Sequence, residues 1–418
     1  MLFLYAVLDM KTILLGVAAI AALASCSDMP ERASHRHGGI NRIEVQRIIA
    51  QAQPGQVPHF AGKDLVDAEL SGVDFKHADL SGAQLLGAEL HRANLSQANL
   101  EHSDMSGASL VEADLRNANL EGSVLVNVDL TGANLTGAKL KGANLTGAKL
   151  AGALLVGADF TGVVMERADL SQSVLNQADF TGANLRGAVL TGNYLSETRF
   201  FRTNLQDADL RGADLNGLNL THINLRHADL RLVNLSFAQL NEVDFRDANL
   251  SLGDFSSSKF EDCTFVKAEM TKADLSDATM LRSRLDRVNL AGARMRKIYI
   301  ANASINEADM SDVNLFQGII NTSDLQGANL RGASMINVDL TRTDLSQSDL
   351  TDVNLNKAVL INTRLTGVNL THADLRKADI KGANFSGANL LGANLAEVLN
   401  LETAIGLDKA INASRAKF

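Results

Sequence analysis

Ala133-Asn134-Leu135-Thr136-Gly137-Ala138-Lys139-Leu140-Lys141-Gly142-Ala143-Asn144-Leu145-Thr146-Gly147 is the stretch whose reading decides the fold. Leu135, Leu140 and Leu145 fall five residues apart, with an alanine two before each and a glycine two after each. Working outward in both directions, the register holds without a break from Leu65 to Leu395, and every fifth residue is Leu, Phe, Met or Ile. Two before nearly all of these is a small residue, mostly Ala, with Ser, Thr, Val, Gly or Cys elsewhere. Asp or Asn often fills the place between, and Gly often falls two after the large residue, as at Gly72, Gly82, Gly87 and Gly132.

A period of five fits neither regular element. On an α-helix five residues advance by about 500°, so the leucines would spiral round the surface. On a straight strand an odd period would throw alternate leucines to opposite faces. The pattern becomes consistent when the chain turns a corner after each short extended piece. The large residue (i) and the small one (i−2) then point together into a central core, while i−1, i+1 and i+2 face water. Glycine at i+2 suits the corner, where a side chain crowds the turn. Four such sides close a coil of twenty residues.

These repeats resemble the A(D/N)LXX signature of the pentapeptide-repeat family, over about four fifths of the chain. The resemblance implies an all-β fold, a right-handed quadrilateral β-helix with short helical caps. At a layer spacing of about 4.8 Å, roughly 17 coils would make a rod on the order of 80 Å long. Residues twenty apart should then stack, with Phe160, Phe180 and Phe200 in one core column and Phe245 on Phe265. Lys63 departs from the pattern by opening the array at a small-residue place. Leu218, Ile223, Ile298 and Asn193 are also too large or too polar for that place, so their coils should bulge. Rod ends need covers against edge pairing. Residues 41–64 form the expected N-terminal helical cap, in which Asn41 with Glu44 caps a helix over 42–51 and Ile43, Val45, Ile48 and Ile49 cover the first coil. The repeat array occupies 65–395. Register fails after Leu395, so residues 396–418 are the other lid or a homodimer contact.

Composition agrees with one repeating backbone. There is no Trp, there are three Tyr, and all three Pro (Pro30, Pro54, Pro58) precede residue 60. A formal charge of −9 is modest for 418 residues and gives no basic field for nucleic acid. Of the two cysteines, Cys263 lies deep in the repeats at a small-residue place and reads as a buried free thiol. Cys26 ends Leu23-Ala24-Ser25-Cys26 after the apolar run 13–23. That box resembles a bacterial lipoprotein signal, which implies a lipid on Cys26 and, with Ser27 following, sorting to the periplasmic face of the outer membrane. Residues 1–26 are therefore set aside as a leader, with Met10 the better start, and 27–40 reads as a polar tether.

No catalytic, cofactor or metal constellation is read in this chain. The nine His are scattered, and there is neither a phosphate-binding glycine loop nor a nucleophile elbow. Two surface patterns stand out. Stepping by twenty from residue 69 gives an outward acidic column of Glu69, Glu89, Asp129, Asp169, Asp209, Asp229, Glu269, Asp309 and Asp349. The plain alternative is that these acids bond locally to the corner backbone. Outward apolar residues are the second pattern: Leu232 and Leu252 in one column with Phe237 nearby, and Phe316 with Ile336 in another, all candidate partner contacts. The leading expectation is a non-enzymatic, lipid-anchored periplasmic rod that binds or spaces an unidentified protein partner. The competing one, implied by family members that mimic B-DNA, is inhibition of a topoisomerase such as gyrase.

Overall fold

The computed structural model describes residues 39–418 with the exception of residue 54. The leader with Cys26 and nearly all of the 27–40 tether lie outside the described residues. Gly39–Phe418 is one unit with one continuous core.

The five-residue period closes a coil every twenty residues, giving a parallel β-solenoid. Asn134, for example, sits in a parallel ladder with the residues twenty before and twenty after it, through the bridges Asp114 to Asn134 and Asn134 to Leu154. A regular repeat makes the same four backbone bonds, among them one from the Gly137 N–H to the Val156 carbonyl at 2.9 Å. The Leu135 N–H donates to the Leu154 carbonyl at 2.8 Å, the Asn134 N–H donates to the Ala113 carbonyl at 2.9 Å, and the Ala138 N–H closes the corner on the Leu135 carbonyl at 2.9 Å. The backbone therefore satisfies itself coil by coil, as buried polar groups require. Side chains at i and i−2 are almost wholly buried along the array. On one side of the rod the chain runs straighter, giving β1 (Asn219–Thr221), β2 (Gln239–Asn241), β3 (Lys259–Glu261), β4 (Thr279–Leu281), β5 (Tyr299–Ala301) and β6 (Ile319–Asn321). These form a six-stranded parallel sheet in which Leu220, Leu240, Phe260, Met280, Ile300 and Ile320 lie in one row.

Corner residues at i+2 take the left-handed conformation whether or not they are glycine: Gly137 has φ 67° and Leu232 φ 61°. Glycine is thus the relaxed choice at a corner, not an obligatory one.

The expected aromatic columns are present. Phe160 and Phe180 stack at 4.8 Å and 3°, Phe180 and Phe200 at 5.5 Å and 7°, and Phe245 and Phe265 at 4.8 Å and 9°. Of the four residues expected to make coils bulge, two interrupt the ladder. Val174 is not bridged to Tyr194, beside Asn193, and Arg199 is not bridged to Asn219, beside Leu218. Ile298 causes no break, because its vertical neighbours are Ala278 and Gly318, and a Cβ on Gly318 would sit 3.4 Å from Ile298 Cγ2. Ile223 is also accommodated, with the Asn224 N–H still on the Thr203 carbonyl at 3.2 Å.

The ends correct the expected boundaries. The coil begins one pentapeptide before Leu65, since Phe60 is fully buried and His59 already pairs with Asp79. Helix α1 (Arg42–Gln51) starts as read, with the Glu44 N–H on Asn41 Oδ1 at 3.0 Å. Val45, Ile48 and Ile49 cover the first coil, but Ile43 faces solvent. Gly39 lets the incoming chain lie against Asp64, whose carbonyl oxygen would stand 2.9 Å from an added Cβ. At the far end the chain makes one further, wider turn in place of a separate lid. Leu399, Ile405, Ile411 and Lys417 pair with Asp379, Asn384, Asn389 and Asn394, so the step lengthens from five residues to six. The extra residue is taken up by short 3-10 turns (Leu401–Thr403, Leu407–Lys409, Ala413–Arg415), each preceded by a left-handed Asn400, Gly406 or Asn412. Val398, Ala404, Leu407 and Ala410 pack on the core, whereas Leu399, Ile405 and Ile411 point outward.

Candidate interaction surface

The sides of the rod are made by the i−1, i+1 and i+2 residues, and the i−1 carboxylates and amides first serve the corner. Asp79 Oδ1 accepts from the Ser81 N–H at 3.1 Å and from its hydroxyl at 2.7 Å, and Asn134 does the same for Thr136. This is the local bonding that short polar side chains favour at turns.

The acidic column exists as a vertical row, but it is interleaved, and Asp129, Asp209, Asp229 and Asp349 are paired with Lys or Arg. Ser109, Lys149, Val189, Asn249, Asn289 and Asn329 separate its members; only Glu69 with Glu89 and Asp209 with Asp229 are adjacent acids. Asp209 is paired with Arg211 and Asp229 with Arg231, each at 2.6 Å; Lys149 lies 3.5 Å from Asp129 and Arg331 3.6 Å from Asp349. The Arg211 side chain, by its hydrogen bond, holds Asp209 below the usual carboxylate range against the opposing effect of burial, and Arg231 does the same for Asp229. Asp169 and Asp309 cap the Ser171 and Ser311 N–H groups, Asp349 accepts from Thr351 and Asn369, and Glu269 accepts from Asn289. Glu89 meets His91 at 2.8 Å. Stepping by twenty finds Lys149 but not Arg211, Arg231 or Arg331, because those three sit at i+1, one column over.

The apolar candidates divide. Leu232, Phe237 and Leu252 are 63%, 60% and 54% exposed, all at left-handed corners. Phe316 and Ile336 stack as read but are half-buried, and the Arg296 guanidinium lies 5.5 Å from the Phe316 ring centre. Both stand at i+1, and the Arg296 side chain of the preceding coil lies over the Phe316 ring. Tyr194, at 70% exposed, is an outward aromatic that the sequence reading did not pick out. It stands at i−1, where Asp or Asn is the rule, in the column of Leu154 and Val174; an apolar residue at i−1 is the signal that would have found it. Tyr194, Leu232, Phe237 and Leu252 place exposed apolar side chains on one side of the rod and its corners, around a middle column that is polar from Asp214 to Asp254. That side is bounded by two corner columns. One carries Gly192, Gly212, Leu232 and Leu252; the other carries Gly217 and Phe237.

Among the described residues no group of three His, Cys, Asp or Glu could hold a metal. Cys263 is a buried free thiol whose pKa burial pushes up to about 12.

The coil geometry and its polar corners define a repeat solenoid, and the comparisons agree. A family model described as pentapeptide repeats matches residues 68–107, 108–147, 139–177, 178–217, 213–251, 248–280, 282–318, 323–362 and 363–398. The chain belongs to the pentapeptide-repeat family. Among solved structures it is similar to HetL, a pentapeptide repeat protein involved in heterocyst differentiation regulation from the cyanobacterium Nostoc, at 23% identity over 68% of this chain and 89% of that one, with a TM-score of 0.18. It is similar to full-length QnrB1, a plasmid-mediated fluoroquinolone resistance protein, at 20% identity over 47% and 93%, TM-score 0.20. A pentapeptide repeat protein of the Arabidopsis thaliana thylakoid lumen is 31% identical over 30% and 71%, TM-score 0.16. No curated protein matches.

Proposed function

We propose that this chain is a non-enzymatic rod, lipid-anchored through Cys26 at the periplasmic face of the outer membrane, whose side binds or spaces protein. The observation that carries the reading is the placement of Leu232, Phe237 and Leu252. A left-handed Leu or Phe costs roughly 1–2 kcal/mol more than glycine, and the same columns use glycine freely. Polar residues share that strain at many other corners; what sets these three apart is that they are large, apolar and exposed to water, which marks a surface for another molecule. The anchor rests on the Leu23-Ala24-Ser25-Cys26 box.

Two measurements test the two halves. Labelling cells with a clickable palmitate analogue should mark the wild-type chain and not Cys26→Ala; labelling that persists in the variant removes the anchor. Leu232→Asp with Leu252→Asp should leave the rod folded and abolish cross-linking to its partner; undiminished cross-linking removes the surface. The competing topoisomerase reading draws on the acidic column, most of whose members are tied into ion pairs and corner bonds. A gyrase supercoiling assay decides it: inhibition by the purified rod would favour that reading, and none at large molar excess ends it.

A further inference from the structure

We infer that the occupant of this side is a second copy of the same chain, laid against it antiparallel about a two-fold axis. The inference rests on Leu232, Phe237 and Leu252 being contact residues, and not on where the protein resides.

The side in question carries Tyr194, Asp214, Asn234 and Asp254 in its middle column, each bridged to the next. When two rods meet on one side and run antiparallel about a two-fold axis, each corner column meets its own counterpart. Such an interface is self-complementary only if bulky corners fall opposite small ones. Two axis positions set all three knobs on glycines; the one on the coil of Gly192 also sets Glu197 against its own counterpart and Asp274 against Asp114, which leaves the one midway between the coils of Gly212 and Leu232. Leu232 then faces Gly212 of the other copy, Leu252 faces Gly192, and in the second corner column Phe237 faces Gly217. The three exposed knobs thus meet three glycines, and glycine is the one residue that leaves a corner open. In the middle column the same axis sets the Tyr194 hydroxyl against the Asp254 carboxylate and Asp214 against Asn234. Following the three columns outward to Gly132 and Asp312, no facing pair carries like charges.

The contact is large enough to matter. About ten coils, each about 4.8 Å deep and about 10 Å wide, bury roughly 1,000 Å² in total, at the lower limit for a specific interface. A reversible dimer in the micromolar range is the corresponding expectation. Leu232, Phe237 and Leu252 are also the apolar side chains among the left-handed corners of the described residues. They sit within two successive coils and on the two corners of one side, whereas incidental apolar substitutions would scatter along the array.

The test is sedimentation equilibrium of the full chain in density-matched nonionic detergent, with far-UV circular dichroism as the folding control. Wild type should fit a monomer–dimer equilibrium. Leu232→Asp/Leu252→Asp should raise the dissociation constant at least about 30-fold. The decisive variant is Gly212→Gln/Gly217→Gln, which removes no apolar residue and only fills the hollows. Gln172 and Gln177 already adopt the left-handed corner in these same two columns, with φ 57° and 61°, so the fold accepts it. It should be monomeric, like the Asp variant. A wild-type chain that stays monomeric, or a Gln variant that dimerises like wild type, overturns the inference. In the latter case, loss of self-association in the Asp variant alone leaves the contact residues standing with a different geometry, and loss in neither removes them as contacts.

Discussion

Asn193→Ala should stabilise the rod, against the usual direction of substitutions at buried positions. Asn193 fills a place that alanine fills one coil on, at Ala213. Its Nδ2 donates to the Leu170 carbonyl at 2.9 Å, while its Oδ1 is buried with no hydrogen-bond partner. An unpaired buried carbonyl costs about 1–3 kcal/mol. The adjoining ladder is open, since Val174 and Tyr194 are unbridged and the Leu175 N–H lacks the coil-to-coil bond that Leu170 makes to Val189. Alanine removes the orphaned oxygen and lets two ladder bonds close, each worth about 1 kcal/mol. It forfeits the Nδ2 bond, but the Ser173 hydroxyl already donates to the same Leu170 carbonyl. Less about 1 kcal/mol for the forfeited bond, the sum is at least about 2 kcal/mol in favour of the variant. Long repeat arrays do not unfold in one step, so the assay is native-state hydrogen exchange at the Leu175 and Tyr194 amides. Protection there should rise about 30-fold, the equivalent of about 2 kcal/mol. Unchanged or weakened protection would refute the claim that Asn193 holds the two coils apart.

Phe180→Ala, in the middle of the three-ring column, should cost about 3–5 kcal/mol, read as lost native-state hydrogen-exchange protection at the Phe180 and Ala183 amides with the native circular dichroism spectrum retained; unchanged protection would contradict the packing. Cys263 should resist maleimide until the array unfolds, because burial places its thiol far above neutral pH; rapid native labelling would contradict that burial. Acid should weaken the rod. Asp114, Asp209, Asp229 and Asp374 are held below their ordinary 3.8 first by hydrogen bonds from Arg116, Arg211, Arg231 and Arg376. A carboxylate depressed in the folded state stabilises above its unfolded pKa, and that stabilisation is lost as pH falls through the folded value. Stability should therefore be level from neutral pH down to about 4 and drop below it; a rise in stability below pH 4 would contradict the pairing.

The core was legible almost entirely in the sequence, because one period fixes which residues point inward and which stack. Phe160, Phe180 and Phe200 needed nothing more than division by twenty. The bulges at Asn193 and Leu218 were legible too, but the absence of one at Ile298 was not, since it depends on Gly318 one coil away. The C-terminal turn escaped the reading because its step is six, and a search for period five sees only lost register after Leu395. On the surface the acids were found and their neutralising arginines were not, because ion pairs join neighbouring columns and a single-column count cannot register them. Phe316 at i+1 and Phe237 at i+2 were both read as outward, yet the Arg296 side chain lies over the first and the second stands free at a corner.

The side of the rod that carries Leu232 and Phe237 should be covered in the cell. Photo-cross-linking from a benzophenone amino acid placed at residue 232 or 237, with residue 242 at the corner diagonally opposite 232 as control, measures this. Adducts are expected from 232 and 237, with a species of twice the chain mass among them, and none from 242. Equal adducts from all three positions, or none from 232 and 237, would contradict it.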